Sequence, residues 1–91
     1  MKLGDVVLVD FPFTNLVQTK IRPAVVVTIT DDHFNDVVLC LISSVLPSQL
    51  SRREILIIPS ELNNLRVPSV IKAYRVATIQ QAKIISTLGR L

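Results

Sequence analysis

The chain has 91 residues, with one cysteine, one histidine, two glycines and no tryptophan. Each scarcity removes a class of function. Cys40 alone makes neither an internal disulfide nor a structural zinc site. With only Gly4 and Gly89, there is no glycine-rich loop to cradle a phosphate or dinucleotide. His33 has no second histidine at metal-ligand spacing. The one carboxylate group, Asp31-Asp32 with Asp36, reads as a solvated turn between strands. Serine and aspartate are present, but no nucleophile-elbow spacing is. No run reaches about 18 uncharged apolar residues, which excludes a membrane helix. The opening MKLGDVVLVDF carries an acid at position 5 and no small-residue cleavage site, so no signal peptide is expected. The expectation is a cytoplasmic domain needing neither metal nor cofactor and having no membrane association.

What the chain does have is branched aliphatic mass. Val, Ile and Leu supply 35 residues, and Val and Ile alone supply 23. The mean hydropathy is positive, which argues against disorder. Aromatics are limited to Phe11, Phe13, Phe34 and Tyr74. β-Branched side chains fit a pleated surface better than a helix. Apolar runs at 6–9, 23–29, 37–42, 55–58, 70–77 and 84–88 are separated by turn formers, which predicts short strands. Their near-continuous apolar character predicts burial on both faces, as in a closed barrel. Residues 59–65 offer one short helical turn capped by Ser60, and residues 78–83 a second, weaker helix. The length fits one domain over residues 1–91.

Charge is unevenly distributed. Residues 1–40 hold three cations and five acids, whereas residues 41–91 hold seven cations and two acids. A basic second half suits an acidic partner, either nucleic acid or an acidic protein segment. The segment from Phe11 to Pro23 reads as a long connection between two strands, and such loops carry function. Pro23 is expected at the first position of the second strand, which sets Arg22 where loop meets sheet. There Arg22 presents a planar, permanently charged fork to a phosphate, or pairs with Asp5 or Asp10. Ser43 and Ser44, at the end of the third run, make either a strand-ending turn or a hydroxyl contact to phosphate or ribose.

Two ordered segments resemble one family. Gly4-Asp5-Val6-Val7-Leu8-Val9-Asp10-Phe11-Pro12-Phe13-Thr14, followed by Lys20-Ile21-Arg22-Pro23-Ala24-Val25-Val26-Val27, is similar to the opening strands of the PemK/MazF toxins. Those toxins belong to type II toxin–antitoxin systems. Residues 38–44, 68–79 and 88–91 resemble later segments of the same family. The resemblance implies a mostly β, small SH3-like barrel with one or two short helices, and a homodimer. It implies a metal-independent endoribonuclease that cuts single-stranded RNA at short sequences. In that reaction the ribose 2′-hydroxyl attacks the adjacent phosphate, leaving a 2′,3′-cyclic phosphate and a 5′-hydroxyl. The nucleophile comes from the RNA, which suits a sequence poor in catalytic side chains.

By the same resemblance, Arg22 meets the phosphorane charge and Ser43, standing for the family threonine, contacts the phosphate. Gln18, Thr19, Lys20, Ser44 and Asp10 are the expected substrate-binding residues. A cognate antitoxin with an acidic tail is the expected competitor for the groove. Three features differ from the family pattern: Val17 replaces an acid, Ser43 replaces threonine, and the chain reaches Leu91 without the usual C-terminal helix. These differences keep a second reading open, a catalytically degenerate barrel that only binds RNA or antitoxin. Inhibition of DNA gyrase, the activity of unrelated toxins on this barrel, is a third.

Overall fold

A computed structural model describes residues 1–12, 19–30 and 35–91. Six strands follow one another: β1 (Asp5–Pro12), β2 (Thr19–Ile29), β3 (Asp36–Ser43), β4 (Glu54–Ile57), β5 (Ser69–Gln80) and β6 (Ile84–Arg90). They form one sheet in the order β4-β5-β3-β2-β1-β6. Every paired neighbour is antiparallel. All six expected strands are therefore present, each extended by a residue or more at one end or both, except β4. No α-helix is present among the described residues, and the chain ends just after β6.

The central strands are buried on both sides, as their apolar runs require. Val7, Val9 and Phe11 of β1, Ala24 and Val26 of β2, and Val37, Leu39 and Leu41 of β3 pack on one face, joined by Ala77 of β5. Val6, Val25, Cys40, Ile42, Ile57 and Ile71 form the second core on the other face. The alternation follows from the two-residue period of a strand. Removing a fully buried side chain such as Leu39 or Ile42 to alanine costs about 2–5 kcal/mol.

Irregularities in register bend the sheet. Leu88 and Ile85 are the extra residues on β6, and Val27 is the extra residue on β2. A larger irregularity lies on β5. Cys40 pairs with Val76 while the next residue, Leu41, pairs with Lys72, so Ala73, Tyr74 and Arg75 have no partner on β3. Bulges increase local twist and let a sheet curl toward closure.

The gap between the outer strands is bridged by the β4–β5 connection. Buried Asn63 organises it: its Oδ1 accepts from the N–H groups of Ser60 (2.9 Å) and Leu65 (3.0 Å), and its Nδ2 donates to the Ile58 carbonyl (3.0 Å). The Ser60 hydroxyl accepts from the Asn63 N–H at 3.1 Å, completing a reciprocal cap. Asn64, at φ 56°, then donates from Nδ2 to the Leu88 carbonyl at 2.6 Å. The Arg90 N–H donates to the Leu62 carbonyl at 2.9 Å. Leu65 and Leu88 pack on the second core beneath this bridge.

One expected local feature is present and two need correction. Residues 59–65 hold the single Ser60-capped turn that was expected, closed by the Asn64 N–H donating to the Ser60 carbonyl at 3.0 Å. Thr78, Ile79 and Gln80 are the end of β5, and only Gln81–Lys83 form a short 3-10 turn. Pro23 is the fifth residue of β2, not its first. It pairs with Leu8 on β1, whereas the β3 ladder begins at Ala24, so its missing N–H interrupts no β2–β3 pairing.

Candidate functional site

The strand extension of β2 changes the setting of Arg22. The connection from β1 to β2 spans only residues 13–18, and Arg22 lies within the sheet, opposite Val9. Directly opposed residues share a face, so Arg22 and Lys20 lie on the face of Val9 and Phe11. Along that face the core gives out toward the start of β2: Val26 and Ala24 are buried, and Arg22 and Lys20 are exposed. Arg22 is thus a charged rim residue on a rigid strand. Its Nη1 donates to the Ile21 carbonyl at 2.8 Å. Among the described residues it forms no ion pair, and neither Asp5 nor Asp10 holds it. Asp5 instead accepts from the Lys2 N–H at 2.9 Å.

Ser43 ends β3 on the same face. Ala24 pairs with Leu41, and continuing that register two residues sets Arg22 level with Ser43, just beyond the end of the ladder. The Ser43 hydroxyl oxygen accepts from the Val45 N–H at 3.1 Å. That is the strand-ending turn the sequence suggested, and it leaves the hydroxyl proton available to a second acceptor. Ser44 follows in an exposed bend.

The next row along the face adds charges the sequence reading did not single out. Leu41 pairs with Lys72, and Lys72 pairs with Glu54 of β4. Lys72 Nζ lies 4.0 Å from Glu54 Oε2 and 3.3 Å from Tyr74 Oη. Glu54 is held as an anion. Hydrogen bonds from Ser51, including its N–H at 3.0 Å, keep the Glu54 carboxyl below the usual range, and Lys72 adds a smaller effect. The available signal was a lysine directly after the apolar pair Val70-Ile71, at a position that a buried sheet face rarely tolerates without a partner.

The expected site is therefore brought together in part. Arg22, Lys20 and Ser43 share a face and one end of the sheet. Asp10 pairs with Ile21 and falls on the opposite face, because it is one residue out of phase with Val9. Thr19 pairs with Pro12 and shares that opposite face. Gln18 and Val17 lie outside the described residues, as do Asp31, Asp32 and His33. Cys40 is buried in the second core, and desolvation pushes its thiol pKa up, which suits packing rather than nucleophilic chemistry.

A family model for the PemK-like, MazF-like toxins of type II toxin–antitoxin systems matches residues 2–91. The chain belongs to this family. The match covers both strands that flank Arg22 as well as the bulged β5 and the closing β6. Membership carries with it an antitoxin as partner. No curated protein matches the chain as a relative. Among the described residues, no helix is long and apolar enough to cross a membrane, and no cluster of three or more His, Cys, Asp or Glu side chains is present.

Proposed function

We propose that this family member is the toxin of its pair and acts as a metal-independent endoribonuclease on single-stranded RNA in the cytoplasm. The observation that carries this reading is an exposed arginine and a strand-end hydroxyl level with each other on one face, within a match to the toxin family over residues 2–91. The RNA supplies the nucleophile, its own 2′-hydroxyl. Attack on the adjacent phosphorus builds negative charge on the phosphorane oxygens and breaks the bond to the 5′-oxygen of the next nucleotide; the 2′-hydroxyl proton passes to water and water returns one to the departing 5′-oxygen. The products are a 2′,3′-cyclic phosphate and a 5′-hydroxyl.

Arg22 is assigned to that charge. A guanidinium stays protonated throughout, so it stabilises the anion rather than acting as the base. The Ser43 hydroxyl, anchored on the Val45 N–H, donates its proton toward a phosphate oxygen. Lys20 and Lys72 flank the pair with further positive charge, and Glu54 fixes the position of Lys72. Thr19 and Ser44 border the strand ends, and Gln18 belongs to the adjoining connection. An acidic antitoxin segment would compete with RNA for this cationic face. A homodimer would align two such faces.

The test is cleavage of a long mixed-sequence RNA in EDTA, with mapping of new 5′-hydroxyl ends. The wild-type protein yields discrete ends, whereas Arg22→Ala, folded by circular dichroism, yields none. Wild-type rates from Arg22→Ala would refute the site. No cleavage by the wild type, with antitoxin binding retained, would favour a barrel that only binds.

A further inference from the structure

The bulge on β5 carries the one tyrosine of the chain. Lys72 and Val76 pair with successive residues of β3, so the three residues between them have no partner on that strand. The Ala73 N–H donates to the Arg53 carbonyl at 2.9 Å, which ties the bulge to the chain entering β4. Tyr74 is the middle residue of the three and is 46% exposed. Two cations attend its ring: Lys72 Nζ at 5.8 Å and Arg75 at 5.9 Å from the centroid. Lys72 also approaches the phenol oxygen and is itself tied to Glu54.

A core residue has no need of this arrangement. Bulges recur beside active sites because they re-aim a side chain. The ring face and the adjacent cations match the two parts of a nucleotide, a flat base and an anionic phosphate. Such pairing of aromatic platform and cationic groove is how single strands are held without base pairing.

We infer that Tyr74 is a base-stacking platform for single-stranded RNA, with Lys72 and Arg75 holding the neighbouring phosphates. This rests on the ribonuclease reading and deepens it. Lys72 lies one row from Arg22 and Ser43 on the same face, so a nucleotide stacked on Tyr74 sits beside the cleaved linkage. Tyr74 thereby positions the strand and contributes to which nucleotide is accepted there.

The chain contains one tyrosine and no tryptophan, so its intrinsic fluorescence reports on Tyr74. The probe is a random-sequence 2′-O-methyl RNA pool with a fluorescent end label, which lacks the attacking hydroxyl and stays intact. Titrated against the full chain, rising label anisotropy should be accompanied by loss of tyrosine emission. Tyr74→Phe should bind within about twofold of wild type, and Tyr74→Ala should bind roughly 5- to 150-fold more weakly. Binding without a change in wild-type tyrosine emission overturns the inference whatever the variants do. So does a folded Tyr74→Ala with unaltered affinity. In both cases the RNA reading survives. Absence of binding by any RNA, 2′-O-methyl or native, defeats the ribonuclease reading and this inference with it.

Discussion

Gly89→Ala is the substitution whose cost follows most directly from the structure. Gly89 sits on β6 opposite Val6, at the point where the Ser60–Leu65 bridge crosses. A Cβ there would collide with the Leu62 carbonyl oxygen and would stand 2.9 and 3.0 Å from the Asn63 carbonyl carbon and Cα. All three obstacles are backbone atoms, and none can rotate aside. The bridge must move, and the Arg90 N–H to Leu62 carbonyl bond moves with it. Overpacking of this kind costs about 1–3 kcal/mol, and the hydrogen bond adds about 1 kcal/mol. The expected loss is about 2–4 kcal/mol, against a total stability on the order of 5–14 kcal/mol for a domain of this size. Gly4 is the control. It has φ +87° and open space around it, so Gly4→Ala meets a conformational penalty of about 1–2 kcal/mol and no collision. Urea unfolding followed by circular dichroism compares the two. A smaller loss for Gly89→Ala than for Gly4→Ala would refute the steric argument.

Other outcomes follow from the same geometry. Ser43→Thr should retain cleavage, whereas Ser43→Ala should lower kcat by about 10²–10³-fold, as measured on a defined RNA. Equal rates for the two would remove the hydroxyl from the mechanism. Glu54 has a carboxyl pKa lowered in the folded chain, so its contribution to stability is present above the unfolded value near pH 4.3 and is lost as pH falls through the folded value. The stability difference between wild type and Glu54→Gln should therefore shrink on acidification below about pH 4. A difference that instead grew in acid would reverse the sign. Cys40 should react with a thiol reagent only as the chain unfolds, its labelling midpoint in urea coinciding with the loss of circular dichroism. Fast labelling of the native protein would contradict its burial.

The strands were legible because they depend on local composition. Runs such as Val6-Val7-Leu8-Val9 and Val37-Val38-Leu39-Cys40-Leu41-Ile42 bury both faces, and their β-branched residues suit no other element. The errors came where cross-strand register decides the outcome. Pro23 looks like a strand start, yet β2 runs past it because β1 pairs with the whole of Thr19–Val25 while β3 does not. The extension of β2 also turned an apparent loop arginine into a strand residue. Asp10 looks close to Arg22 in the β1–β2 hairpin, but the strand period sends the two to opposite faces. The bulge that carries Tyr74 is absent from local pattern altogether, since it arises from how β3 aligns with β5. The Asn64–Leu88 bond joins residues 24 apart and has no local signal either.

The exposure of Arg22 sets a condition on how the site works. Two unit charges 4 Å apart interact by about 1 kcal/mol in bulk water and by about 4 kcal/mol at an effective dielectric constant of 20. An arginine on an open rim, with part of its fork turned to its own Ile21 carbonyl, starts near the weaker limit. Its effect on a developing phosphorane must then depend on what covers it. A bound strand that extends from Arg22 past Ser43 toward Lys72 and Tyr74 supplies that cover and excludes water from the reacting phosphate. Binding energy gained away from the cleaved bond is then expressed at the bond. On the proposed reading, shortening an RNA substrate should lower kcat and not only raise KM, as steady-state rates on a series of oligonucleotides containing one cleavage site would reveal. A series in which KM alone changed would mean that Arg22 acts equally well uncovered, and that the row beyond Ser43 serves affinity without serving catalysis.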